Sequence, residues 1–171
     1  TDISREEARF LCQKDAESHD AFTSGQPPFD GIDLILASHT DVDHFPPAII
    51  GAFLQKNTET KLAGSQTVVD ELREKFNGYD QIADRVHLVQ PDVGQTVKLT
   101  IQGIDIEVMS IPGLVPNLGF LFQLGGLEIF ESGDLGLEPA GPELIATLQA
   151  YNLPERQIDL AADHGIAFFA F

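Results

Sequence analysis

His39, Asp41, Asp43 and His44 place four potential metal ligands within six consecutive positions. Imidazole nitrogens and carboxylate oxygens are the donors that suit zinc, iron or manganese. The four follow directly on Ile32-Asp33-Leu34-Ile35-Leu36-Ala37, an apolar run that reads as a buried strand. A strand that runs out into a turn sets such side chains at the rim of a sheet, where a substrate can reach them. A polar turn after a core strand would explain a lone His-x-Asp. Ligand types packed this densely point instead to a metal site.

The spacing carries a resemblance. Ser38-His39-Thr40-Asp41-Val42-Asp43-His44 resembles the His-x-His-x-Asp-His signature of the metallo-β-lactamase fold, with Asp41 standing where that family has its second His. Farther on, Asn117-Leu118-Gly119-Phe120-Leu121-Phe122 is followed by a segment ending Ser132-Gly133-Asp134. This is similar to the Asn-Leu-Gly … Gly-Asp block of the lactonase-like branch, which includes the ascorbate-6-phosphate lactonases and their bacterial relatives. The resemblance implies that His39 and Asp41 serve one metal, that Asp43 and His44 serve a second, and that Asp134 bridges the two. A carboxylate at the position of Asp41 also occurs in the flavodiiron branch, where it suits iron. The family places a further ligand His just before the Asn-Leu-Gly strand; around Pro112-Gly113-Leu114 there is none. For the family's last ligand only His164 remains, earlier than expected, and an ordinary histidine at a strand end is the other reading of it.

The ligand set implied is thus His39, Asp41, Asp43, His44, Asp134 and His164, for one or two ions of zinc, manganese or iron. A metal lowers the pKa of bound water from about 15.7 towards 7, giving a metal-bound hydroxide at neutral pH. In that scheme Asp134 bridges the metals and Asp43 orients the water and takes its proton. The substrates implied are small esters, lactones, amides or phosphodiesters. No Ser-His-Asp set or glycine-rich phosphate loop competes. The alternative is a metallo-β-lactamase-fold protein that has lost catalysis and serves as a binding or structural module. The altered ligands favour the module. The joint presence of Asp43, His44 and Asp134 favours the hydrolase, since such a cluster repels itself if buried without a cation.

The elements that must position these residues alternate. Ile3 to Ala16 carries helix formers, and His19 lies in a polar segment read as a solvated loop. After Phe45-Pro46-Pro47, residues 48–56 read as a helix. Residues 60–64 follow as a strand, then Thr67 to Phe76 as a second helix with Val68, Val69, Leu72 and Phe76 at helical spacing. That order predicts parallel strands with crossover helices. Strands are expected over 85–90, 97–101 and 104–111, the last two joined by a hairpin turn at Gln102-Gly103. His87 alternates within its strand and reads as structural or surface. A hairpin over 117–134, a helix over 142–150 and a strand over 157–162 complete the chain. The expected fold is an α/β, αββα metallo-β-lactamase-type sandwich, a single domain over 1–171, shortened at both ends because no hairpin signal precedes residue 32 and the last elements are few.

The net charge of −17 argues against nucleic-acid binding through phosphate contacts and against docking on anionic lipid. No apolar run approaches the roughly 20 residues of a membrane helix, and no signal peptide is read. The single cysteine, Cys12, rules out an internal disulfide. A soluble protein of the cytoplasm or periplasm with a small-molecule substrate is expected. The apolar run Ile166 to Phe171 suggests a strand buried by a second subunit, hence a homodimer.

Overall fold

The computed structural model describes residues 16–27, 29–41, 44–111 and 116–133. Two sheets dominate. The first is parallel, in the order β1 (Leu34–Ala37), β2 (Lys61–Gly64), β3 (Val86–Leu88). The second is an antiparallel meander, in the order β4 (Thr96–Ile101), β5 (Ile104–Ile111), β6 (Asn117–Leu124), β7 (Leu127–Glu131).

Side-chain alternation explains how the layers stack. Ile35 and Ala37 of β1, Leu62 of β2 and Val86 of β3 point to one face. There they meet Ile50 and Leu54 of helix α2 (Pro47–Lys56) and Val68 and Leu72 of helix α3 (Gln66–Lys75). Leu34, Leu36 and Ala63 point to the other face, against Ile101, Ile106, Val108, Leu118 and Phe120 of the second sheet. The parallel sheet is buried on both faces, as its unbroken apolar run requires. Helices, parallel sheet and antiparallel sheet form three successive layers, an α/β arrangement that matches the helix–sheet–sheet part of the expected αββα sandwich. The segments 142–150 and 157–162, expected to add a helix and a strand, lie outside the described residues, as does Ile3 to Asp15. No helix among the described residues is long and apolar enough to cross a membrane.

Local chemistry sets the helix ends. In α2 a proline occupies the first turn, where its missing N–H is no loss, and the amides of Ile49 and Ile50 donate to Pro46 O. Ser65 caps α3 by accepting from the Val68 amide at 3.4 Å, and Arg73 and Lys75 sit in the last turn, where cations favour the helix dipole. Arg85 works as a buried strut. Its guanidinium donates to Leu54 O at 2.7 Å and to Asn57 O and Thr60 O at 3.0 Å, joining the end of α2 to the start of β2. Arg85 therefore belongs to a 3₁₀ turn ahead of β3 and not to the strand itself.

One expectation is corrected. The polar segment around His19 is part of a helix, α1 (Ala16–Ser24), and not a loop. Its signal is tertiary: the Phe22 ring stacks on Phe53 of α2 at 4.8 Å and meets Phe29 edge-on at 5.3 Å. A helix held by one aromatic anchor shows no apolar periodicity to read.

Candidate metal centre at the sheet rim

Where β1 ends, Ser38 and His39 remain buried, at 6% and 1% exposure. The chain then turns. The amides of His44 and Phe45 both donate to Asp41 O, at 2.8 and 2.7 Å. Phe45, 2% exposed, plunges into the helix-side core and anchors the turn, while His44 stays at the surface. The fold thus holds a ligand-bearing turn between a buried strand and a buried phenylalanine.

Three of the six candidate ligands are brought together here. His39 Nε2 stands 3.9 Å from Asp41 Oδ2, with the His39 side chain 1% exposed and Asp41 45% exposed. The rings of His39 and His44 lie 4.3 Å apart, tilted by 42°. Asp43, Asp134 and His164 lie outside the described residues. Among the described residues no group of three or more His, Cys, Asp or Glu side chains is arranged to hold a metal ion. The His39–Asp41 pair fits part of a cation site. Two donors each about 2.0–2.2 Å from a tetrahedral ion stand about 3.3–3.5 Å apart, so the observed 3.9 Å is open by about half an ångström. Ser38 Oγ lies 3.0 Å from His39 Nδ1. With Nδ1 protonated and donating to Ser38 Oγ, Nε2 is the nitrogen that presents its lone pair towards Asp41.

The second motif reaches the same edge. The Leu118 amide at the start of β6 donates to Ser38 O at 3.0 Å, a main-chain bond from one sheet to the other. Gly133, two residues beyond β7, has φ +61. A methyl group on it would lie 2.7 Å from Ser38 Cβ and would collide with the Asn117 side-chain oxygen. Only glycine allows the two motifs to approach so closely.

Two polar residues of the second motif have a role here that the sequence did not assign. Asn117, 2% exposed, donates from Nδ2 to Ser132 O at 2.8 Å. Glu131 Oε1 accepts from the Gly133 amide at 2.7 Å. Glu131 pairs with Phe120, whose ring lies in the inter-sheet core, so its side chain points into the sandwich. Burial pushes its carboxyl up to about 7, against the downward pull of the Gly133 hydrogen bond. A carboxylate on the apolar face of an alternating strand was the available signal for Glu131.

His87 is half-buried on β3, beside Ala63, on the face turned towards the second sheet. Burial, and then Lys61, lower its pKa. A structural or surface role was expected for this histidine.

The family described as beta-lactamase superfamily domain matches residues 13–154. Neither a curated protein nor a solved structure matches the chain. The matched span contains both the 38–44 turn and the 117–134 block, whose described residues Ser38, Asn117 and Gly133 meet at one rim. By that match and that arrangement, the chain belongs to the beta-lactamase superfamily.

Proposed function

We propose that this protein is a metal-dependent hydrolase of small esters, lactones, amides or phosphodiesters, related to the lactonase-like branch and acting at the rim where β1 and β7 end. The observation that carries the reading is the contact of Gly133 with Ser38 and Asn117. The residue after Gly133 and the residue after Ser38 are Asp134 and His39, candidate ligands from distant parts of the chain.

His39, Asp41, Asp43, His44 and Asp134 would hold the cation, with His164 as a further donor. Once bound, a divalent cation supplies Lewis acidity, polarising the scissile carbonyl or phosphoryl group and lowering the pKa of water. The protein's own part is positioning and proton transfer. Ser38 Oγ, 3.0 Å from His39 Nδ1, restrains the tilt of the His39 ring. The Asp43 carboxylate accepts a proton from the attacking water and returns it to the leaving group. The half-exposed Asp41 side chain leaves the rim open to a small substrate. A net charge of −17 disfavours large polyanions.

Elemental analysis of the full chain, purified without chelator, tests the reading. One or two equivalents of zinc, manganese or iron are expected, lost in Asp134→Ala, together with a lactonase or esterase activity that a chelator abolishes. Wild-type protein free of metal refutes the hydrolase and leaves the binding module.

A further inference from the structure

Ser132 O and the Gly133 amide belong to one peptide group, and each end of it is held by a side chain. Asn117 Nδ2 donates to the oxygen at 2.8 Å and Glu131 Oε1 accepts from the nitrogen at 2.7 Å. A peptide plane gripped at both ends cannot rotate about the flanking bonds. Gly133 packs onto Asn117 and Ser38 as well, so the plane cannot translate either. The grip is expensive to build. It sets a carboxylate on the apolar face of β7 and a carboxamide, 2% exposed, at the start of β6. Strand pairing does not require either group. β7 is already registered on β6 by ordinary ladder pairs from Leu127 to Glu131.

We infer that Asn117 and Glu131 are positioning residues, which clamp the Ser132–Gly133 peptide and thereby hold Gly133 against Ser38, one residue ahead of the candidate ligand Asp134. The inference rests on the reading of the rim as a cation site and extends it. Outer residues that orient a ligand typically govern metal affinity by about 10- to 100-fold. In this protein the positioning acts through the main chain, because the clamp grips the peptide that leads into Gly133.

The test uses full-length protein, cobalt(II) as the probe ion and four variants. Glu131→Gln keeps an acceptor for the Gly133 amide, Glu131→Leu removes it, and Asn117→Asp removes the donor to Ser132 O at constant shape. Asp134→Ala reports the cation site itself. Wild type and Glu131→Gln are expected to bind cobalt within about threefold of each other, with the same visible spectrum. Glu131→Leu and Asn117→Asp are expected to bind about 10- to 100-fold more weakly, with an altered spectrum. Wild-type affinity in both would overturn the clamp. A second readout needs no metal. In metal-free protein, hydrogen exchange at the Gly133 amide is expected to rise about tenfold in Glu131→Leu and to stay unchanged in Asp134→Ala. Unchanged exchange in Glu131→Leu would overturn the clamp whatever the cobalt result. Wild-type protein that takes up no cobalt would instead refute the cation site, and with it the purpose assigned to the clamp.

Discussion

Gly133 and Gly125 have nearly the same backbone conformation, φ +61 and +59, but different surroundings. A methyl group on Gly125, at the exposed tip of the β6–β7 hairpin, would meet nothing within 4 Å. On Gly133 it would fall 2.7 Å from Ser38 Cβ and 2.8 Å from Asn117 Cγ, where carbon contacts settle at about 3.5–4.0 Å. Alanine at either site pays about 1–2 kcal/mol for the left-handed backbone. At Gly133 a packing cost of about 1–3 kcal/mol is added, because β1 and β6 must part by about 1 Å. Gly125→Ala should therefore lose about 1–2 kcal/mol and Gly133→Ala about 2–5 kcal/mol. Urea unfolding reads the difference. With a slope of about 2 kcal/mol per molar, the two midpoints should differ by about 1 M. Equal losses would mean that the two motifs do not touch, and the argument for a shared rim would fail.

Two further outcomes follow from buried polar groups. Arg85→Met leaves the carbonyls of Leu54 and Thr60 without their donor, at about 1–3 kcal/mol each, so a loss of about 2–6 kcal/mol is expected in the same unfolding assay; Arg85→Lys should recover part of it. Glu131 makes stability depend on pH. Its carboxyl titrates at about 7 in the folded protein against 4.5 ordinarily, so the folded state holds the proton more tightly. That contribution is fully present below 4.5 and is lost as pH rises to about 7. Relative to Glu131→Gln, the wild type should lose up to about 3 kcal/mol across this window. A flat difference between the two would show that the carboxyl is not buried in the sandwich.

Much of this architecture could be read from the sequence. The run Leu34 to Ala37 is apolar at every position because both its faces are covered. Val68, Val69 and Leu72 recur at helical spacing because one side of α3 packs on the parallel sheet. Gln102-Gly103 gives the hairpin because both residues adopt positive φ, 54° and 75°. Three things could not be read. Helix α1 depends on the stacking of Phe22 on Phe53, a contact between residues far apart in sequence. Arg85 looks like the first residue of a strand until its three carbonyl partners are seen. Asn117 opens the Asn-Leu-Gly motif, and only the fold reveals the peptide it holds. Of the candidate ligands, the types and order were legible for His39, Asp41 and His44, while the 3.9 Å approach of His39 to Asp41 comes from a turn closed by Asp41 O.

The bond from Leu118 to Ser38 has a consequence for how mutations spread. Each sheet is completed by a contiguous stretch of chain, 34–88 for one and 96–131 for the other. Neither stretch needs the other for its own ladder. The rim does, because Ser38 comes from the first and Asn117 and Gly133 from the second. It exists only once the two halves have docked, and it sits at the outer end of the seam. A substitution that loosens the seam, such as Val108→Ala or Phe120→Leu, can leave both sheets standing and still pull the rim apart. Damage to this site can therefore begin deep in the apolar interior, at residues that never approach a substrate.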